Sequence, residues 1–196
     1  MVNISLTYTA KRVILFLSFF QLASFAAISQ VKFHAKDNLQ LVISGTSTLH
    51  DWTMKSTKAD CNATLTLNSA GQPAGLTALS FSLPAESLKS DHTAMDKNAY
   101  KALKTEQFPS ITYKLSSATV ESDGSIKCLG KLTIAGATLE TDVLATAKLN
   151  ADQSITISGS KKISMKDFKI SPPTFMLGTV KTGNDIVVKY NLTLIK

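Results

Sequence analysis

From Gln30 onward, apolar residues recur at every second position over most of the chain. Leu79, Phe81 and Leu83 alternate with Ser80 and Ser82, and Ile111, Tyr113 and Leu115 alternate with Thr112 and Lys114. The same beat runs through Lys131-Leu132-Thr133-Ile134, through Ile155 and Ile157, and through Ile186, Val188, Tyr190, Leu192 and Leu194. Successive side chains of a strand point to opposite faces, so each run has one apolar and one polar face. Turn-forming clusters punctuate the runs at 68–75, 122–125, 135–138, 150–153 and 182–185. About eight strands result, near 31–36 or 39–47, 52–67, 76–83, 110–120, 125–135, 139–149, 154–164 and 184–195. Hairpin-sized gaps between them argue an antiparallel meander.

One segment departs from period two. Between Ser87 and Lys104, Met95, Ala99 and Leu103 fall at steps of four, with Asp91 as the expected N-cap and Lys101 and Lys104 in the last turn. Phe108-Pro109 then ends the helix and opens the next strand. Pro172-Pro173 marks a second irregular stretch, because paired prolines do not sit in a central strand. The expected fold is therefore all-β: an eight-stranded antiparallel barrel with one inserted amphipathic helix. A sandwich is the other way to bury such a sheet, but closure also removes the exposed edges. Many inward positions are small or aliphatic (Ile134, Val143, Ala145, Ala147, Ile157, Val188), which leans towards a barrel with room inside.

The first residues do not share this pattern. Lys11 and Arg12 precede an apolar run from Val13 to Ala27, shorter than the roughly twenty residues of a spanning helix. Residues 1–29 read as a signal peptide cleaved before Gln30, with Ser24-Phe25-Ala26 as an alternative site. The expected domain is 30–196, exported to the periplasm or the extracellular space. Without the leader the chain keeps 19 Lys+Arg against 14 Asp+Glu. These charges are scattered, with no basic run and no interleaved aromatics, so nucleic acid is not expected as a partner. A diffuse positive field is compatible with anionic head groups. Cys61 and Cys128 are the only cysteines. In an oxidising compartment they form one disulfide, or they are two buried small hydrophobes.

Signatures of catalysis are few. There is no Gly-rich phosphate loop, no Gly-x-Ser-x-Gly, no His-Glu-x-x-His and no Cys-x-x-Cys. The stretch Gly45-Thr46-Ser47-Thr48-Leu49-His50-Asp51-Trp52 concentrates rare residues, including the only tryptophan. His50 and Asp51 have no evident nucleophile or further metal ligand beside them, and adjacent strand residues diverge. The segment reads as a corner held by Asp51, with Trp52 either packed there or forming part of a cavity wall.

The order of several pieces resembles the YceI-like family of secreted, lipocalin-like barrels associated with polyisoprenoid binding. They are Gly45 to Trp52, Leu79-Ser80-Phe81-Ser82-Leu83-Pro84, Glu86 to Ser90, Met95-Asp96, Phe108-Pro109-Ser110-Ile111-Thr112-Tyr113, Gly130 to Gly136, and Met165 to Ile170. The resemblance covers nearly all of the expected mature chain. The Leu49-His50-Asp51-Trp52 form of the opening departs from the aliphatic or phenylalanine-rich one of many members. The resemblance implies a lipocalin-like barrel whose lumen holds an isoprenoid lipid or quinone, with no catalysis, no cofactor and no metal. Candidate lumen residues are Trp52, Phe81, Leu83, Phe108, Ile111, Tyr113, Leu132, Ile134, Phe168 and Val188. Peripheral membrane contact and a monomer or homodimer complete the expectation. The alternative is a filled structural or interaction barrel that acts through its surface.

Overall fold

The computed structural model describes residues 30–37 and 39–196. The signal-peptide reading falls on 1–29 and so lies outside the described residues. One antiparallel sheet is built from β1 (Gln30–Ala35), β2 (Gln40–Ser47), β3 (Trp52–Ser56), β4 (Asp60–Leu67), β5 (Pro73–Pro84), β6 (Ser110–Val120), β7 (Ser125–Ile134), β8 (Ala137–Leu149), β9 (Ile155–Ser164), β10 (Thr174–Phe175) and β11 (Val180–Ile195). The order β1-β4-β5-β6-β7-β8-β9-β11 closes on itself where His34 and Ala35 of β1 pair with Ile195 and Leu194 of β11. This is an eight-stranded up-and-down barrel.

Of the three strands beyond eight, two come from broken staves and the third is the short β10, which pairs only with β11. β1 and β2 both run beside β11, β1 at its C-terminal end and β2 from Asn191 back to Thr182. Both readings of the first strand, 31–36 and 39–47, are thus present as halves of one stave. The 52–67 strand is likewise broken between Ser56 and Asp60. Met54 and Ser56 are buried before the break, Cys61, Ala63 and Leu65 after it. The inward set therefore slips from even to odd positions, which no continuous strand allows.

After β5 the chain leaves the sheet through a 3-10 turn (Ala85–Ser87) and forms one isolated bridge to β3, through paired backbone bonds between Lys55 and Lys89 of 2.7 and 2.8 Å. Helix α1 (Thr93–Leu103) follows. It starts later than expected, and Asp91 does not cap it. The N-cap is His92, which makes no side-chain capping bond. Instead the buried Asp96 reaches back to accept the Ser90 amide and hydroxyl, each at 2.7 Å. Lys104 ends the helix in the left-handed conformation. The tight β7–β8 turn places both Ala135 (φ 49°) and Gly136 (φ 79°) at positive φ, as a two-residue hairpin whose twist suits its strands requires.

Two joined apolar clusters line the barrel interior. One gathers Phe33, Leu39, Leu65, Leu83 and Ile155; the other gathers Ile126, Cys128, Leu132, Ile134, Met165 and Phe168. Leu39, Leu65 and Ile155 are almost fully buried, so the end where β1 meets β4 is plugged. The opposite end is covered by α1, by the 3-10 turn Met165–Phe168 and by the segment leading to β10.

Candidate ligand-binding lumen

Period two decides what faces inward, and inward positions on β2, β5, β7, β9 and β11 surround two apolar chambers of about 190 and 180 Å³. The first lies under α1, with Met95, Ala99 and Leu103 in its lid and Trp52, Pro173 and Phe175 on its walls. The second sits deeper, against Leu65, Tyr113, Ile126, Val143, Ala145 and Ile157. Leu41, Phe81, Leu132, Ile163 and Val188, each from a different strand, line both chambers. The chambers therefore meet in series at a ring of five apolar side chains. Each exceeds the roughly 150 Å³ at which an apolar cavity stays dry and admits benzene.

Nine of the ten candidate lumen residues line this space. Trp52, Leu83, Ile111, Ile134 and Phe168 face the first chamber, Tyr113 the second, and Phe81, Leu132 and Val188 both. Phe108 does not. It precedes β6, and its ring packs against Gly136 of the β7–β8 turn, where a Cβ would collide with it. Local hydrophobicity marked Phe108, but it sits just ahead of β6, where no strand parity orients its side chain inward. Sequence reasoning missed the lid from α1, Ile163, Met165 and the β10 approach. The steps of four at Met95, Ala99 and Leu103 did mark an apolar helix face, though not what it covers.

The His50-Asp51 corner is an exposed turn between β2 and β3. Ser47, not Asp51, holds it: the Ser47 hydroxyl accepts the amides of Leu49 and His50, both at 3.2 Å, and donates to the His50 carbonyl at 2.7 Å. His50 Nδ1 contacts the Asp51 carbonyl at 2.7 Å and not its carboxylate. Trp52 turns inward, lies over Gly45 of its partner strand and donates Nε1–H to the Thr46 carbonyl at 3.0 Å. Among the described residues no three His, Cys, Asp or Glu side chains gather as metal ligands.

Cys61 and Cys128 are free thiols, and both face the second chamber. Burial pushes the Cys61 thiol up to about 12 and the Cys128 thiol up to about 11, so both are protonated and poor nucleophiles at neutral pH. Tyr190 is raised to about 12, mainly by burial. Burial also raises Tyr113, helped by Cys128, Asp142 and Tyr190. Among the described residues every buried side-chain polar atom has a hydrogen-bond partner. The lumen thus offers a ligand shape and apolar area, and few polar contacts.

A closed eight-stranded meander with a lidded apolar lumen defines a barrel of the ligand-holding class. The chain belongs to the family of YceI-like domains, whose model matches residues 23–194. Among solved structures it is similar to Burkholderia cenocepacia BcnA, at 14% identity and a TM-score of 0.67, covering 81% of this chain and 98% of that one. A polyisoprenoid binding domain from Saccharophagus degradans aligns at 10% identity and a TM-score of 0.65, covering 85% of this chain and 98% of its own. The Campylobacter jejuni YCEI protein aligns at 21% identity and a TM-score of 0.55, covering 71% and 85%. These likenesses show a shared fold. No curated protein sequence matches the chain.

Proposed function

We propose that this protein binds an apolar isoprenoid-type lipid, the prenyl tail of a quinone or a polyprenyl chain, in its lumen, and acts as an exported binding protein without catalysis. The observation that carries the reading is the pair of apolar chambers in series, joined at Leu41, Phe81, Leu132, Ile163 and Val188. Chambers in line suit a slender chain, and a prenyl tail asks for little beyond a dry channel. Each buried methylene contributes about 0.8 kcal/mol, so such a tail is held without a dense set of polar contacts. The same space supports this reading over a filled barrel acting through its surface. Membership of the YceI-like family and the fold shared with a polyisoprenoid binding domain add support. So does the leader-like pattern at Lys11 to Ala27 for export.

Contact with a bilayer fits the lidded end. Leu49 is 66% exposed and Leu177 fully exposed, on loops tied together where the Thr48 amide donates to the Lys181 carbonyl at 3.0 Å. Trp52 and Phe175, on the first chamber's wall, are their near neighbours in sequence.

Native mass spectrometry of the protein purified from an exported form, followed by solvent extraction, tests the reading. A prenyl lipid is expected in the extract, with loss of the adduct in Ala145→Phe, which fills the second chamber. A barrel that carries no lipid and takes up no farnesol overturns it.

A further inference from the structure

β8 and β9 pair over only part of their length. Their ladder runs from Leu149 opposite Ile155 to Ala145 opposite Gly159 and stops there. Beyond it β8 remains fully paired with β7, and β9 with β11. Residues 137–144 and 160–164 thus face each other across a seam in the barrel wall. The exposure agrees: Leu139 shares the inward face with its buried partner Leu132, yet is 37% exposed. The second chamber lies directly behind, with Val143, Ile163 and Tyr190 on its wall.

Lys161 crosses this seam. It pairs with Val188 and shares its inward face, and among the described residues it is the one charged side chain lining either chamber. Its ammonium meets Asp142 Oδ1 at 2.7 Å. Asp142 pairs with the exposed Leu129 on the outer face of β8, and its carboxylate is 70% exposed. The lysine stem therefore lines the lumen while its head reaches an outer-face carboxylate. On either side, the Tyr113 and Tyr190 hydroxyls donate to the β8 carbonyls of Thr141 (3.3 Å) and Leu144 (2.5 Å). Their protons are committed to the wall, whereas an ammonium with one bond to Asp142 has two N–H donors left.

We propose, on the basis of the lumen reading above, that this seam is a lateral portal seating the polar head of the bound lipid, and that Lys161 selects an anionic, phosphate-type head by exchanging Asp142 for it. A phosphate oxygen presents the same acceptor chemistry as the carboxylate it replaces. The exchange costs little, because a pair with one side this exposed contributes little. The bond gained is charge-assisted like the one it replaces, and a phosphate, with more charge and three acceptor oxygens, also engages the two ammonium N–H donors that Asp142 leaves free. A neutral hydroxyl head gains no such term, although its tail binds the same walls.

Isothermal titration calorimetry with farnesyl phosphate and farnesol tests this on the mature chain. The wild-type protein is expected to prefer the phosphate by about tenfold or more. Lys161→Met should bring the ratio close to one, Lys161→Arg should keep it, and Asp142→Asn should raise it by removing the competing carboxylate. A wild-type ratio near one, a preference that survives Lys161→Met, or a parallel loss of both ligands in that variant overturns the portal assignment. If the wild-type protein binds neither compound, the lumen reading itself fails.

Discussion

Aromatic rings laid over glycines recur through this barrel. Trp52 lies on Gly45 and Tyr190 on Gly159 as direct cross-strand pairs, and Tyr113 lies on Gly130 diagonally, two residues from that glycine's direct partner Leu115. In each case a Cβ on the glycine would collide with the ring. A glycine in a strand leaves a gap, and a facing aromatic fills it while letting the sheet curve. Gly45→Ala forces the Trp52 indole out of its place, and overpacking of this kind costs about 1–3 kcal/mol. Urea unfolding followed by the fluorescence of Trp52, the chain's only tryptophan, should show that loss, with an altered native emission spectrum as the ring moves. These pairs are illegible in the sequence because Gly45 and Trp52 meet only once the strand register is fixed. Inward orientation within a strand is local, and so the eight candidate lumen residues that lie in strands could be placed from alternation alone, whereas Phe168 reaches the first chamber from the 3-10 turn Met165–Phe168. Phe108, outside a strand, had no such guide.

At the scale of elements, the strands were legible because each carries its own alternation. Their breaks were less so. The slip from Met54 and Ser56 to Cys61 and Ala63 is visible in the burial, yet Thr57 to Ala59 gives no Gly or Pro signal. The break is stabilised from outside the strand, by the Ser56 hydroxyl at 2.8 Å from that of Ser87. Helix α1 shows the same dependence. Its sequence offers Asp91 as a cap, but the bond that fixes its start is made by Asp96 to Ser90, six residues earlier and ahead of the helix. Its far end is held by Thr105, which donates to Glu86 at 2.8 Å. Asp96→Ala leaves the Ser90 amide and hydroxyl without that acceptor, at a cost of about 1–3 kcal/mol. Because α1 lids the first chamber, hydrogen exchange should accelerate in residues 93–103 while β7 and β8 keep their protection.

For the whole molecule, the lumen sets how stability responds to pH. On the acid side the effects are at the surface: bonds to Lys161 and Lys162 hold Asp142 and Asp185 below the usual carboxylate range, and both are exposed. Their contribution is present above the unfolded-state value near 3.9 and fades only as pH falls through the lower native one. The alkaline side differs, because Cys61, Cys128, Tyr113 and Tyr190 all face the second chamber and burial raises all four. The native state holds these protons more tightly than the unfolded chain, whose thiols titrate near 8.5 and tyrosines near 10. Stability from these groups is therefore complete below about pH 8.5 and is lost as pH climbs from there towards the native values of about 11 and 12 for the two thiols. Urea midpoints should be level through neutral pH and fall above about pH 9, with the first part of the fall flattened in Cys61→Ala/Cys128→Ala and the tyrosine part retained. The same burial makes both thiols inert in the native barrel. An aromatic disulfide reagent should find no reactive thiol at pH 8 until denaturant is added, and then both. Reaction of either thiol in the native state would mean that the β8–β9 seam admits the reagent to the second chamber, where both thiols lie.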